Sequence, residues 1–218
     1  MSKVKISFFG DSICMGQGVS IHGNWIVNLS SDLYKAFGDR IIVSINAANG
    51  RTTRMALEVM PYEIQSSPPD ILIIQYGMND CNYWETDCGV PRVTKNAFKA
   101  NLEEIITRAR ACGVKSIFLN SNHPTGRFCS KMLSAGITYE DSNVEYNEII
   151  RLVGDNPDVN FIDIELEFEK LNMEHSKYLL PKPDLLHLNE FGNKIYYEIM
   201  KPILLDDIYS YINKSSDK

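Results

Sequence analysis

The sequence predicts an α/β fold of three layers, α/β/α, flavodoxin-like, built on a five-stranded parallel sheet. Three observations carry that prediction. Short apolar runs recur along the chain, helix-period patterns fill the gaps between them, and the runs are too uniformly apolar for a sheet with one wet face. Strands joined through helices run parallel, and a parallel sheet needs helices on both of its faces.

Taken in order, the strand candidates are residues 3–9, ending at Gly10, then 41–45, 70–74, 114–119 and 159–162, read as five buried strands. Between them lie helical patterns at 25–37, 53–64, 93–112, 139–153 and from 189 towards 211. In the first of these Trp25, Leu29, Leu33 and Phe37 recur at four-residue steps and form one stripe. Punctuation supports the boundaries. Gly113 stops a helix, Pro68-Pro69 precedes a strand, and Asn189 can cap the last helix with Glu190 in its first turn. The longest irregular stretches are residues 81–91 and 121–138; both follow strands, which places them at the carboxyl edge of the sheet, where α/β folds bind ligands. No internal repeat occurs, and the polar tail 213–218 is the one biased segment.

A chain of 218 residues reads as a single domain over 1–218, large enough to bury roughly 70–75% of its unfolded surface without staples. Lys and Arg total 22 against 28 Asp and Glu, a net charge of −6, so nucleic acid is not an expected partner. No apolar run is long enough to span a membrane, and the apolar stretch after Lys5 meets Gly10 too soon for a signal peptide. A cytoplasmic location is the expectation. The five cysteines, Cys14, Cys81, Cys88, Cys112 and Cys129, form no C-x-x-C pair and imply neither a disulfide framework nor a zinc knuckle. Oligomeric state is not legible in the sequence.

Four short segments combine reactive side chains with the expected sheet edge: Gly10-Asp11-Ser12, residues 46–50 ending at Gly50, Gly77-Met78-Asn79-Asp80, and Asp184 to His187. Ser12 leaves the first strand where a helix or turn must begin, so its hydroxyl projects beside a fresh backbone N–H. Asp184 and His187 are three apart, a spacing that lets the carboxylate hold Nδ1–H and turn Nε2 towards a nucleophile. Gly50 permits close approach of a backbone N–H, and Asn79 offers amide donors. Each segment alone has a plainer reading, as cap, solvated pair or turn. Their conjunction supplies the nucleophile, oriented base and oxyanion donors that acyl transfer needs.

These blocks resemble the SGNH, or GDSL, hydrolases, a family named for the Ser, Gly, Asn and His of four blocks. The matching residues are Gly10-Asp11-Ser12-Ile13 with Gly16 and Gly18, then Gly50 before Thr52-Thr53, then Gly77-Met78-Asn79-Asp80, and lastly Asp184-Leu185-Leu186-His187-Leu188-Asn189 with Gly192. They occur in order from residue 8 to residue 192, and the departure is Ile13 where the family name has Leu. The resemblance implies the SGNH hydrolase fold, with Ser12 as nucleophile, His187 as base and Asp184 as its orienter. It also implies an oxyanion hole of the Ser12 and Gly50 N–H groups with the Asn79 side chain, and neither metal nor cofactor.

Other chemistries fit less well. The G-x-S-x-G elbow is absent around Ser12, phosphate-binding glycine motifs are missing, Cys14 sits between packing residues, and Asp80 reads as structural. A metal site on Asp11, Asn79, Asp80, Asp184 and His187 lacks bridging-carboxylate spacing. The expected function is a serine esterase acting on a small-molecule ester, with short acyl groups on a carbohydrate as the favoured substrate. For that substrate Tyr83 and Trp84 would stack on a sugar face, and His123 and Arg127 would hold hydroxyl or carboxylate groups. A lipase or thioesterase, or a binding module of the same fold without turnover, are the alternatives.

Overall fold

The computed structural model describes residues 3–133 and 135–216, with side chains to residue 212. Met1, Ser2, Ser134, Asp217 and Lys218, which belong to the expected domain, its 121–138 loop and its polar tail, lie outside the described residues. Strands β1 (Val4–Gly10), β2 (Ile41–Ala47), β3 (Ile71–Gln75), β4 (Ser116–Asn120) and β5 (Asn160–Ile162) form one parallel sheet in the order β2-β1-β3-β4-β5. This is the predicted fold class.

The strands divide by position. β1, β3 and β4 are almost wholly buried, whereas β2 leaves Ile42 and Ile45 about 40% exposed, at 42% and 40%, and β5 begins with an exposed Asn160. The expectation of five buried strands is therefore corrected for β2 and β5. They are the two edges of the sheet, and an apolar run in sequence does not distinguish an edge from a centre.

Seven helices, α1 (Ser12–Met15), α2 (Trp25–Phe37), α3 (Thr53–Met60), α4 (Lys95–Ala111), α5 (Tyr139–Gly154), α6 (Ile164–Lys170) and α7 (Glu190–Ser216), cover the sheet among the described residues. α7 packs on α2 and α6, while α4 packs on α3 and α5, which gives the two outer layers. The pleat of β1 explains how one strand serves both. Phe8 meets Trp25 of α2 edge-on at 5.3 Å, and Trp25 in turn lies 4.4 Å from Tyr196 of α7. Phe9, pointing the other way, meets Tyr76 at 5.4 Å.

Local chemistry sets the helix ends. Asn24 caps α2 by accepting the N–H of Ile26 at 2.7 Å and of Val27 at 3.2 Å, and Thr138 with Asp141 forms a capping box at α5. Asn189 Oδ1 accepts the Gly192 N–H at 2.9 Å, as a cap of α7 should. The helix expected over 53–64 instead ends at Met60 and continues as a π-turn, Pro61–Gln65, because Pro61 has no N–H for the α-helical ladder. α7 runs on into the segment read as a polar tail; α1 is the helix or turn expected to begin at Ser12, a single turn long, while α6, too short to show a helical period, has no counterpart in the sequence pattern.

At β1 the chain order of neighbouring strands reverses, with β2 on one side and β3 on the other. The connections leave in opposite directions there and open a crevice beyond the strand ends. Gly10, Ala47 and Gln75 are the last residues of these three strands.

Candidate active site

Ser12 follows β1 after the single residue Asp11 and opens α1. Asp11 caps this single turn, its Oδ1 accepting the Ile13 N–H at 2.9 Å, which leaves the first N–H, that of Ser12, outside the helical pattern. The loop before α7 reaches the same point. His187 Nε2 lies 2.9 Å from Ser12 Oγ, and His187 Nδ1 lies 2.8 Å from Asp184 Oδ2. The other oxygen, Asp184 Oδ1, accepts the N–H groups of Leu186 at 2.9 Å and His187 at 2.7 Å. Burial alone would push the Asp184 carboxyl up, but the His187 N–H, the His187 ring and the Leu186 N–H outweigh it and hold the carboxyl below its ordinary value. A carboxylate on Nδ1 fixes the proton there and leaves the Nε2 lone pair for the Ser12 hydroxyl.

Three donors grip this loop from behind. His123 Nε2 donates to Leu186 O at 2.8 Å, the Gly126 N–H to Leu185 O at 2.8 Å, and Arg127 Nε to Asp184 O at 2.6 Å. His123 thus differs from its expected part. It is fully buried and touches no solvent, so it cannot contact a substrate; burial drives its imidazole down to about 4, and the neutral ring supports the loop. The sequence does not show this, since a histidine three residues beyond the end of a strand looks exposed.

On the other side of Ser12 stand Gly50 and Asn79. Gly50 has φ +77°, which favours glycine, and open space where a Cβ would sit. Asn79 Nδ2 donates to Arg51 O at 3.2 Å and makes a long contact of 3.5 Å with Asp11 Oδ2. Two arginines that no sequence motif marks organise this side. Arg51 forms a fork with Glu63 at 2.7 and 2.8 Å and holds Asn46 O at 3.2 Å, fixing the 46–50 turn. Arg92 donates from one nitrogen to Gly50 O at 3.1 Å and to Asn79 Oδ1 at 3.3 Å, with its guanidinium 4.3 Å over the Trp84 ring. Because Arg92 occupies Oδ1, the Asn79 amide turns its NH₂ towards Arg51 O and Asp11.

Beneath the crevice a buried polar chain ties β3 to β4 and α5: Gln75 Nε2 donates to Asn122 Oδ1 at 3.2 Å, and Asn122 Nδ2 to Asn143 Oδ1 at 3.1 Å. Asp80, read as structural, accepts from the N–H and hydroxyl of Thr53 at 2.9 and 2.5 Å. Burial raises Asp80 to about 6 and Asp11 to about 7. Trp84 is 51% exposed at the crevice rim, whereas Tyr83 is half-buried with Glu145 and Lys95 as its charged neighbours. Among the described residues no three His, Cys, Asp or Glu side chains are grouped to hold a metal ion, and no helix is long and apolar enough to cross a membrane.

The model of the GDSL-like lipase/acylhydrolase family matches residues 8–195, nearly the whole span of strands and both site loops. The chain belongs to that family. As a member of the family it is a carboxylic ester hydrolase. No curated protein matches its sequence. Solved structures do resemble it. An acetyl xylan esterase, AlAXEase, superposes with a TM-score of 0.74 at 20% identity, covering 90% of this chain and 98% of that one. Axe2, an acetylxylan esterase from Geobacillus stearothermophilus, gives 0.72 at 16% identity, covering 91% and 93%. LAE5, an alpha/beta hydrolase from the metagenome of Lake Arreo, Spain, gives 0.73 at 17% identity, covering 92% and 94%. At these identities the likeness shows the fold.

Proposed function

We propose that this GDSL-family hydrolase removes short acyl groups, acetyl above all, from hydroxylated carriers such as carbohydrates, through an acyl-enzyme on Ser12. The observation that carries the reading is the unbroken hydrogen-bond chain from Asp184 through His187 to Ser12, with both links under 3 Å, at 2.8 and 2.9 Å. His187 Nε2 takes the Ser12 proton as Oγ attacks the acyl carbon, and the imidazolium then gives that proton to the leaving alkoxide. Water repeats the sequence: His187 takes its proton as the water oxygen attacks the acyl carbon, then returns that proton to Ser12 Oγ as the acyl–Oγ bond breaks and the carboxylic acid departs. Developing charge on the carbonyl oxygen is met by the N–H groups of Ser12 and Gly50 and by Asn79 Nδ2. The Asn79 hydrogen that serves is the one now spent on the long 3.5 Å contact to Asp11. Little is lost when it turns to the oxyanion, since a contact of that length is a weak hydrogen bond.

Two acetylxylan esterases among the structural neighbours support acetyl groups on sugars as the substrate class. The exposed Trp84 face, backed by Arg92, supports a sugar ring as the carrier, since aromatic rings bind the apolar faces of sugars by burying them. A long acyl chain needs a continuous apolar groove, worth about 0.8 kcal/mol per buried CH₂, and the polar surroundings of Ser12 do not provide one. kcat/KM on p-nitrophenyl acetate, butyrate, octanoate and palmitate tests the reading. Acetate and butyrate should lead, and a maximum at octanoate or beyond would replace it with a lipase or thioesterase.

A further inference from the structure

Beside the triad loop lies a cleft of about 570 Å³ that the proposed chemistry does not use. It is lined by residues 126–132 and Tyr139 on one side and by residues 174–176 and 182–185 on the other, with Asn82 beside them and Leu185 next to Asp184. Its floor is Tyr139, whose hydroxyl hydrogen-bonds to the carbonyl of Met78, the residue before Asn79. The cleft thus abuts the loop that carries Asp184 and, through Tyr139, the segment that leads to Asn79.

The charge of this cleft opposes that of the whole chain. Arg127, Lys131 and Lys182 line it against one carboxylate, Glu174, in a protein whose net charge is −6. None of these four side chains enters an ion pair among the described residues. Arg127 is the best fixed of the cations. Its Nε is bound to Asp184 O at 2.6 Å and its guanidinium lies 5.3 Å over the Tyr139 ring, so the fork is held rigid while its terminal NH₂ groups remain for a ligand. A planar, immobilised guanidinium with two lysines beside it is the arrangement that carboxylate and phosphate recognise.

We infer that this cleft selects esters whose alcohol portion carries an anionic group, a carboxylate above all, bound by Arg127 with Lys131 and Lys182. The inference rests on the esterase reading and adds the charge of the substrate to it. Because the same arginine holds the carbonyl of Asp184, the anion is bound within one residue of the triad. An acid sugar bearing an O-acyl group satisfies both the cleft and the crevice at once.

A matched pair of aryl acetates tests this: 4-acetoxybenzoate, which carries the charge on its leaving group, and 4-acetoxybenzamide, its neutral counterpart of similar shape. The ratio of their kcat/KM values should favour the benzoate about tenfold at low salt, and should shrink as ionic strength brings the Debye length below about 10 Å. In the double variant Lys131→Ala/Lys182→Ala the ratio should fall towards one, and Lys182→Glu should invert it. A wild-type ratio of one or less, with the benzamide still hydrolysed, overturns the anionic cleft and leaves the esterase intact. A ratio above one that both variants leave unchanged moves the selectivity elsewhere and overturns it equally. Failure of either ester to react, with Ser12 unlabelled by a fluorophosphonate, would instead bring down the esterase reading and this one with it.

Discussion

The two sides of Ser12 are held in different ways. On the base side, three successive carbonyls of the Asp184–Leu186 segment are fixed by His123, Gly126 and Arg127, two of these donors being wholly buried. On the oxyanion side, one half-buried arginine, Arg92, spans Gly50 and Asn79 through a single nitrogen. On the base side the load is shared among two side chains and one backbone N–H, each holding a different carbonyl, whereas Gly50 and Asn79 share one charged side chain. Substitutions on the two sides should therefore fail differently.

The largest effect is expected at the base. Asp184→Asn removes the acceptor that fixes the His187 tautomer and should lower kcat by about 10³–10⁴, with the fold retained by circular dichroism. On the oxyanion side Asn79→Ala should lower kcat by about 10²–10³, roughly 3–4 kcal/mol of transition-state stabilisation, with a smaller change in KM. Arg92→Ala should cost less, about tenfold in kcat, because it loosens Asn79 without removing it. In an Asn79→Ala background most of that loss should vanish, since contacting residues are not additive. Full additivity in the double variant would mean that Arg92 acts on substrate, not through Asn79.

Much of this site was legible in the sequence, and the boundary is physical. The roles proposed for Ser12, Asp184 and His187 need only local features, a strand end for a nucleophile and a three-residue step for a carboxylate–imidazole pair, which a sequence displays directly. Arg51 and Arg92 do not, because each acts across the fold, Arg51 on Glu63 and Arg92 on Gly50, and no periodicity marks such a contact. The burial of His123 is hidden for the same reason: it comes from α6, with Phe168 at 5.7 Å, from α5 through Asn143, and from the Asp184–His187 loop through Leu186 O. The sheet was legible because β1, β3 and β4 are buried on both faces, while the edge position of β2 and β5 is set by pairing order.

The smallest predicted effect is on stability, and it compares the same two sides. Asp11, on the oxyanion side, is raised by burial to about 7, as is Glu140 behind the base loop, while His123 is lowered to about 4. Between pH 8.5 and 6.5 the folded carboxyls take up protons that the unfolded ones, near 3.8 and 4.5, do not, so stability rises as pH falls through this window. Below about 6.5 the unfolded His123 binds a proton that the buried ring refuses, and the gain is opposed. The melting temperature should therefore rise by a few degrees from pH 8.5 to 6.5, at about 2–4 °C per kcal/mol for a chain of this size. Asp11→Asn, which keeps an oxygen for the Ile13 N–H, should flatten that slope; an unchanged slope would mean that Asp11 ionises freely in the fold.

The central claim is that Ser12 carries the acyl group, and one measurement tests it most directly. Wild-type protein and Ser12→Ala are each treated with a fluorophosphonate, the adduct is located by peptide mass spectrometry, and hydrolysis of p-nitrophenyl acetate is followed in parallel. One label per chain on the peptide containing Ser12 is expected for the wild type. For Ser12→Ala the expectation is no label and a fall in kcat of roughly 10⁴ or more, with the melting temperature preserved. A folded Ser12→Ala protein that keeps activity within tenfold of the wild type would contradict the account.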